Sequence, residues 1–264
     1  MSETSRAPVV FLHGHPETAA IWGSLLAALG RDDVTCLSPP RFAATADECL
    51  RQVVAELAAF GEPVHLVGHD LGGGHVVRVA ATRPDLLRSW VSDAVGVFHR
   101  DYTGHYLAGL WRTPGVGEVD VRRRFGGPAA DRVRTMVGRG MPREVAERIA
   151  ADQDETTGRA VLAHYRSADR PVDLGDAARR PGLALLATED HLVGTAAQRR
   201  EAAVTAGARV EVLHGLGHWW MLQDPARIAR VLTGFWASAP AGRSTSDGQN
   251  SLPSSGAAAG RPRW

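Results

Sequence analysis

Val64-His65-Leu66-Val67 is a compact apolar run that ends in Gly68-His69-Asp70-Leu71-Gly72-Gly73-Gly74, after which a helical pattern runs from about Gly73 to Thr82. Pro84 closes that helix. A strand, a glycine-rich turn and a helix in that order leave few folds open. Gly68 and Gly72 lack Cβ atoms, so the chain can fold tightly around a strained residue held between them. That residue is Asp70, pushed up at the carboxyl end of its strand. The N–H groups that open the next helix can stabilise an anion there.

The rest of the chain repeats the alternation. Val9-Val10-Phe11-Leu12, Val34-Thr35-Cys36-Leu37, Trp90-Val91-Ser92, Leu183-Ala184-Leu185-Leu186 and Val210-Glu211-Val212-Leu213 read as further strands. Pro39-Pro40 stops the second of these. Thr45 and Glu48 form a capping-box pattern ahead of an apolar helix face on Leu50, Val53, Leu57 and Phe60. A last helix is expected from about Pro225 to Trp236. Strands alternating with helices favour an α/β fold with a mostly parallel sheet. Between residues 98 and 180 the pattern gives way to arginines, Gly-Pro pairs and short helices, which reads as a small helical cap. The core is then residues 8–97 and 181–238. Residues 239–264 are rich in Ser, Gly, Ala and Pro and read as a disordered tail. No internal repeat is present.

The 264 residues suit one such domain with a core large enough to need no disulfide or metal for stability. Thirty basic residues face twenty-nine acidic ones, so nothing points to nucleic acid as a partner. Two cysteines, Cys36 and Cys49, make no disulfide framework. The polar start at residues 1–8 has no apolar segment behind a basic one, and no apolar run is long enough to span a membrane. A cytoplasmic location is the expectation.

Three polar groups follow three strands in order. Asp70 follows the third strand, Asp190 follows the run at 183–187, and His218 follows the run at 210–213. A carboxylate is ionised near neutral pH and needs no base to become a nucleophile. Asp, Asp and His in that order match the chain order of a nucleophile–acid–base triad on this kind of sheet. The turn His13-Gly14-His15-Pro16 ends the first strand and can supply a second oxyanion donor, the backbone N–H of His15, beside that of Leu71. Asp93, just past the fourth strand, is a rival for the acid, and Glu189 is a second. A metal reading of His13 and His15 fails, because Glu17 and Thr18 follow Pro16 where an H-x-H-x-D-H pattern needs other ligands. No metal or cofactor is expected.

On these residues the chain resembles the α/β-hydrolase superfamily over nearly its whole length. Its G-x-D-x-G elbow, His-Gly-x-Pro turn and late Gly-His pair are similar to the branch of epoxide hydrolases and haloalkane dehalogenases. The resemblance implies a helix-flanked, mostly parallel sheet and a small, apolar or moderately polar organic substrate. It also implies a two-step reaction. Asp70 attacks carbon to form an alkyl-enzyme ester, and water activated by His218, oriented by Asp190, attacks the ester. Leu71 stands where dehalogenases carry a halide-binding Trp, and His15 stands where they often carry Asn. Both depart from the dehalogenase pattern, and Leu71 suits an epoxide hydrolase, which needs only a backbone N–H there although it too often carries Trp; epoxide opening to a vicinal diol is the expectation. Haloalkane dehalogenation, another hydrolysis, or a non-hydrolytic cyclase, lyase or ligand-binding role stays open. Epoxide hydrolases use two cap tyrosines as acids. Tyr165 fits one role, and Tyr106 or Tyr102 the other. Trp219 reads as a wall of the pocket. His69 and His75 read as packing residues, and Arg122-Arg123-Arg124 as a solvated face. Oligomeric state is left open, a homodimer included.

Overall fold

The computed structural model describes residues 7–38, 45–167 and 172–238. The Pro39-Pro40 stop and the tail at 239–264 lie outside the described residues. Six strands form one parallel sheet: β1 (Val9–Leu12), β2 (Val34–Leu37), β3 (Val64–Gly68), β4 (Leu87–Ser92), β5 (Gly182–Ala187) and β6 (Ala208–Leu213). Their order is β2-β1-β3-β4-β5-β6. All six expected strands are present, and the parallel sheet follows from the helices that separate them.

Register places the loops that matter. Leu12 pairs with Gly68, so the turn after β1 and the elbow after β3 emerge side by side. Gly68 in turn pairs with Ser92, which sets Asp93 under the elbow. Ala187 pairs with Leu213, which aligns the loops carrying Asp190 and His218.

Alternate strand residues face opposite layers, as a period of two requires. Val9 and Phe11 pack with α1 (Gly23–Leu29) and α11 (Pro225–Ser238). Val10 and Leu12 pack with α2 (Ala46–Ala58), α3 (Leu71–Thr82) and α9 (Ala196–Thr205). The capping box ahead of α2 is made in both directions between Thr45 and Glu48. Helix α3 begins at Leu71, two residues earlier than its glycines suggest, because Asp70 itself caps it.

Between β4 and β5 run α4 (Tyr106–Arg112), α5 (Val116–Phe125), α6 (Ala129–Gly138), α7 (Arg143–Ala151) and α8 (Glu155–Ser167). They do not form one layer. Helices α4, α5 and α8 close on their own cluster of Trp111, Phe125, Val161 and Tyr165. Met141, Val145 and Ile149, on and just before α7, join the main core with Phe11 and Trp22. A short α10 (Trp220–Gln223) follows His218. No described helix is long and apolar enough to cross a membrane.

Candidate active site

Asp70 has φ 51°, the only non-glycine residue with positive φ among the described residues. An L-residue held there stores strain that its surroundings must impose. They do so by close approach. A Cβ on Gly68 would lie 2.5 Å from the Gly72 carbonyl oxygen, and one on Gly72 would lie 2.5 Å from the carbonyl oxygens of Leu12 and His13. No other residue type fits at either position.

The elbow points Asp70 into a cavity of about 960 Å³ at the carboxyl ends of the strands. The Leu71 N–H donates to Asp70 Oδ1 at 2.6 Å. The other oxygen, Oδ2, faces His218 Nε2 at 3.8 Å. His218 Nδ1 donates to Asp190 Oδ2 at 3.0 Å, which leaves Nε2 as the acceptor turned toward Asp70. Asp190 is buried, and its Oδ1 accepts from the Leu192 N–H. Asp70, His218 and Asp190 thus meet, although 148 residues separate the first from the second.

Asp93 is elsewhere engaged. It accepts from His69 Nδ1 at 2.5 Å, from Trp220 Nε1 at 2.7 Å and from the Asp70 N–H at 3.0 Å. It therefore makes a second histidine–aspartate pair below the elbow and does not reach His218. Glu189 accepts from the Thr188 hydroxyl and orients no histidine.

Among the tyrosines, Tyr165 is buried and lines the cavity. Its Oη lies 3.0 Å from His105 Nε2. The Ala108 N–H donates to His105 Nδ1, so that nitrogen carries no proton and Nε2–H is the donor to Tyr165. The Tyr165 hydroxyl proton is then free to point into the cavity. Tyr106 does not share this role. It is 78% exposed at the first position of α4, facing away from the apolar side of that helix. The Tyr102 hydroxyl donates to the Leu192 carbonyl. Of the three tyrosines, Tyr165 alone lines the cavity.

His15 and Trp219 both line the cavity, as does Leu107 from α4. The Trp219 indole N–H donates to Glu17 Oε1 at 3.0 Å, and that of Trp111 to Asp120. Arg123 and Arg124 lie at the cavity wall, not on a solvated face alone.

Two residues, Glu17 and Arg199, were not legible as site residues, whereas His105 was readable from its place as a residue of the pocket or of an exposed lid. Glu17 is buried beside the elbow, 3.8 Å from His218 Nε2 and 3.9 Å from His69 Nε2. Its place in the turn after His15-Pro16 was the available signal. His105 orients Tyr165. Arg199 is a buried arginine on α9 that donates to the carbonyls of Ala187 and Asp190, fixing the turn that carries Asp190.

Burial pushes the Asp70 carboxyl up to about 6. The His218 charge opposes that shift and the Glu17 charge adds to it. Burial and the His69 charge press His218 down, but its hydrogen bond to Asp190 and the charges of Asp190 and Asp70 hold it above its ordinary value. Tyr165 stays protonated, pushed well up by burial and by the Asp70 charge.

Comparison with known proteins bears on the fold. No curated protein sequence matches significantly. Among solved structures, the epoxide hydrolase A of Mycobacterium thermoresistibile is 20% identical, with a TM-score of 0.67, covering 91% of this chain and 94% of that one. A haloalkane dehalogenase from Bradyrhizobium elkani is 21% identical, with a TM-score of 0.66 and coverages of 90% and 92%. An E-2-(acetamidomethylene)succinate hydrolase is 21% identical, with a TM-score of 0.63 and coverages of 88% and 92%. At such identities the likeness is one of fold. The sequence profile of the alpha/beta hydrolase family matches residues 9–231, and the chain belongs to that family.

Proposed function

We propose that the protein opens an epoxide to a vicinal diol through an ester on Asp70. Residues 98–180 would act as the cap over a small, apolar or moderately polar substrate. The observation that carries this reading is the division of labour between the two Asp70 oxygens. Oδ1 already sits on the Leu71 N–H, and Oδ2 is turned toward His218.

The steps follow from that arrangement. Oδ2 attacks an epoxide carbon, and the C–O bond breaks with its electron pair passing to the ring oxygen. Tyr165 gives that oxygen its proton, leaving a tyrosinate that accepts from His105 Nε2–H. Water then loses a proton to His218 Nε2 and attacks the Asp70 carboxyl carbon. Oδ1 takes up the negative charge on the Leu71 N–H, where preorganised donors are most effective, with the His15 N–H as the second donor. Collapse expels the diol oxygen, which takes the proton from His218. The water oxygen stays in the Asp70 carboxyl, and the proton left on that carboxyl passes through solvent to the Tyr165 oxygen, restoring both groups.

The dehalogenase alternative is weaker at one point. A leaving halide needs unengaged N–H donors, and both tryptophans that line the cavity already donate to carboxylates. Cyclase, lyase and pure binding roles on the same scaffold lack this need for an ester.

Exposure of the His218→Gln variant to small epoxides and to haloalkanes, read by intact mass, separates these. An epoxide adduct adds the whole mass of the substrate, since nothing leaves. A haloalkane adduct is lighter than its substrate by one hydrogen halide. Adducts from epoxides that vanish in His218→Gln/Asp70→Asn are expected. Full turnover by Asp70→Asn alone would overturn the ester mechanism.

A further inference from the structure

Behind the cavity, three helices bring together three side chains for which the reaction above has no use. Cys49 lies on α2, His75 on α3 and His164 on α8, and a ligating atom from each lies within 4.8 Å of the others. All three are buried, at 3%, 3% and 7% exposure. Among the described residues, His75 Nδ1 has no hydrogen-bond partner although it is shut away from water. A buried polar atom left so is unfavourable by about 1–3 kcal/mol, so it marks either a strained packing site or a missing ligand.

We propose that Cys49, His75 and His164 bind a zinc-class metal ion that fastens the cap to the core. One thiolate and two imidazoles are a borderline-soft donor set, which suits zinc or copper(I) far better than magnesium or calcium. Water completes a tetrahedral site. Both imidazoles are shut away from water, which favours the neutral ring with a lone pair to give. The Cys49 thiol is buried, and a bound cation holds a coordinating thiol as its thiolate. Binding therefore releases the thiol proton to solvent. Arg78 is the nearby cation that lowers both histidines, and Asp47 pairs with it at 3.8 Å.

The place of the site gives it a purpose. His164 and Tyr165 are neighbours on α8, and the His15 ring stacks on His164 with centroids 6.3 Å apart. An ion there pins the helix that presents Tyr165 to the cavity. The same seam carries a hydrogen bond from the Ala46 N–H to Ser167 Oγ at 2.9 Å.

The test uses the untagged full chain, stripped with a chelator and then given zinc or cobalt(II). We expect one zinc per chain by elemental analysis after gel filtration, a higher melting temperature and one proton released. Cobalt(II) should give a thiolate charge-transfer band. Cys49→Ala and His164→Ala should each lose the band. Each should weaken zinc binding by more than the roughly 10- to 100-fold typical of losing an outer-shell partner. Should either variant fail to fold, the wild-type spectrum decides alone: cobalt without a thiolate band overturns the proposal. So does a chain that retains no zinc. Zinc that stays in Cys49→Ala but leaves in His218→Ala would belong to Glu17, His69 and His218, and would overturn it too.

Discussion

Two histidine–aspartate pairs sit 4.5 Å apart, ring centre to ring centre, and differ in what they can do. In both, the histidine Nδ1 donates to a buried carboxylate. The His218 side chain is 16% exposed and its Nε2 opens on the cavity toward Asp70. The His69 side chain is 0% exposed and its Nε2 faces Glu17. One imidazole can therefore exchange its proton with a water or a substrate, and the other cannot. His69 is held in its charged form, against the pull of burial, by the charges and hydrogen bonds of Asp93 and Glu17. Its charge draws the neighbouring Glu17, Asp70 and Asp190 carboxyls toward their ionised forms, while the His218 Nε2 stays open to the cavity. The difference comes from placement at a strand end, not from residue type.

Single substitutions should separate the pairs most sharply. Asp190→Asn should lower turnover by about 10⁴-fold, the scale seen when a triad carboxylate becomes an amide, while leaving the melting temperature within a few degrees. Asp93→Asn should do the reverse. It strands His69 as a buried charge, so urea unfolding should show a loss of about 3–5 kcal/mol, with no build-up of ester in single-turnover mass spectra. Equal effects on rate and stability from both changes would erase the distinction.

The pH dependence sharpens it further. Ester formation needs ionised Asp70, so kcat/KM should rise with pH through about 6. Ester hydrolysis needs neutral His218, whose folded value lies above its ordinary one, so kcat should rise later, through that raised value. Rapid-mixing kinetics across pH should show accumulated ester on the acid side. In Asp190→Asn the second limb should move to lower pH, because its hydrogen bond and charge no longer favour the imidazolium. His69 should contribute no limb.

The smallest effect concerns stability. Asp70 has a folded value raised above its unfolded one. Below the unfolded value of about 4 it is protonated in both states and carries no penalty. As pH rises through the folded value, the native state must hold a buried carboxylate and loses stability. Asp70→Asn should therefore melt higher than wild type at pH 8, and the gap should close toward pH 4. A gap that grows toward acid would reverse the assignment of burial as the leading cause.

The sheet and the meeting of Asp70, Asp190 and His218 were legible because each depends on short-range pattern. A buried strand is a run of apolar residues, and Asp70, Asp190 and His218 each stand just past one. Pairings set by register were not legible. Nothing near His69 in sequence announces Asp93, and they meet only because Gly68 lies opposite Ser92. The cap was read as helical, but its faces were not. Tyr106 and Tyr165 look alike in sequence, and only the packing of α4 against α8 turns one outward and the other into the cavity. Arg199 looked like any charged residue on a surface helix, because the carbonyls it binds come from a loop nine and twelve residues earlier.

The helices between β4 and β5 have different prospects under change. Met141, Val145 and Ile149 complete the same apolar core as Phe11 and Trp22, so α7 is foundation. Cutting the whole insertion out and splicing β4 to β5 would strip that core open to water. Helices α4, α5 and α8 are roofing: they enclose a cluster of their own and touch the cavity through Leu107, Trp111 and Tyr165. New substrates are therefore best sought by rebuilding those three helices while α7 is left as it stands.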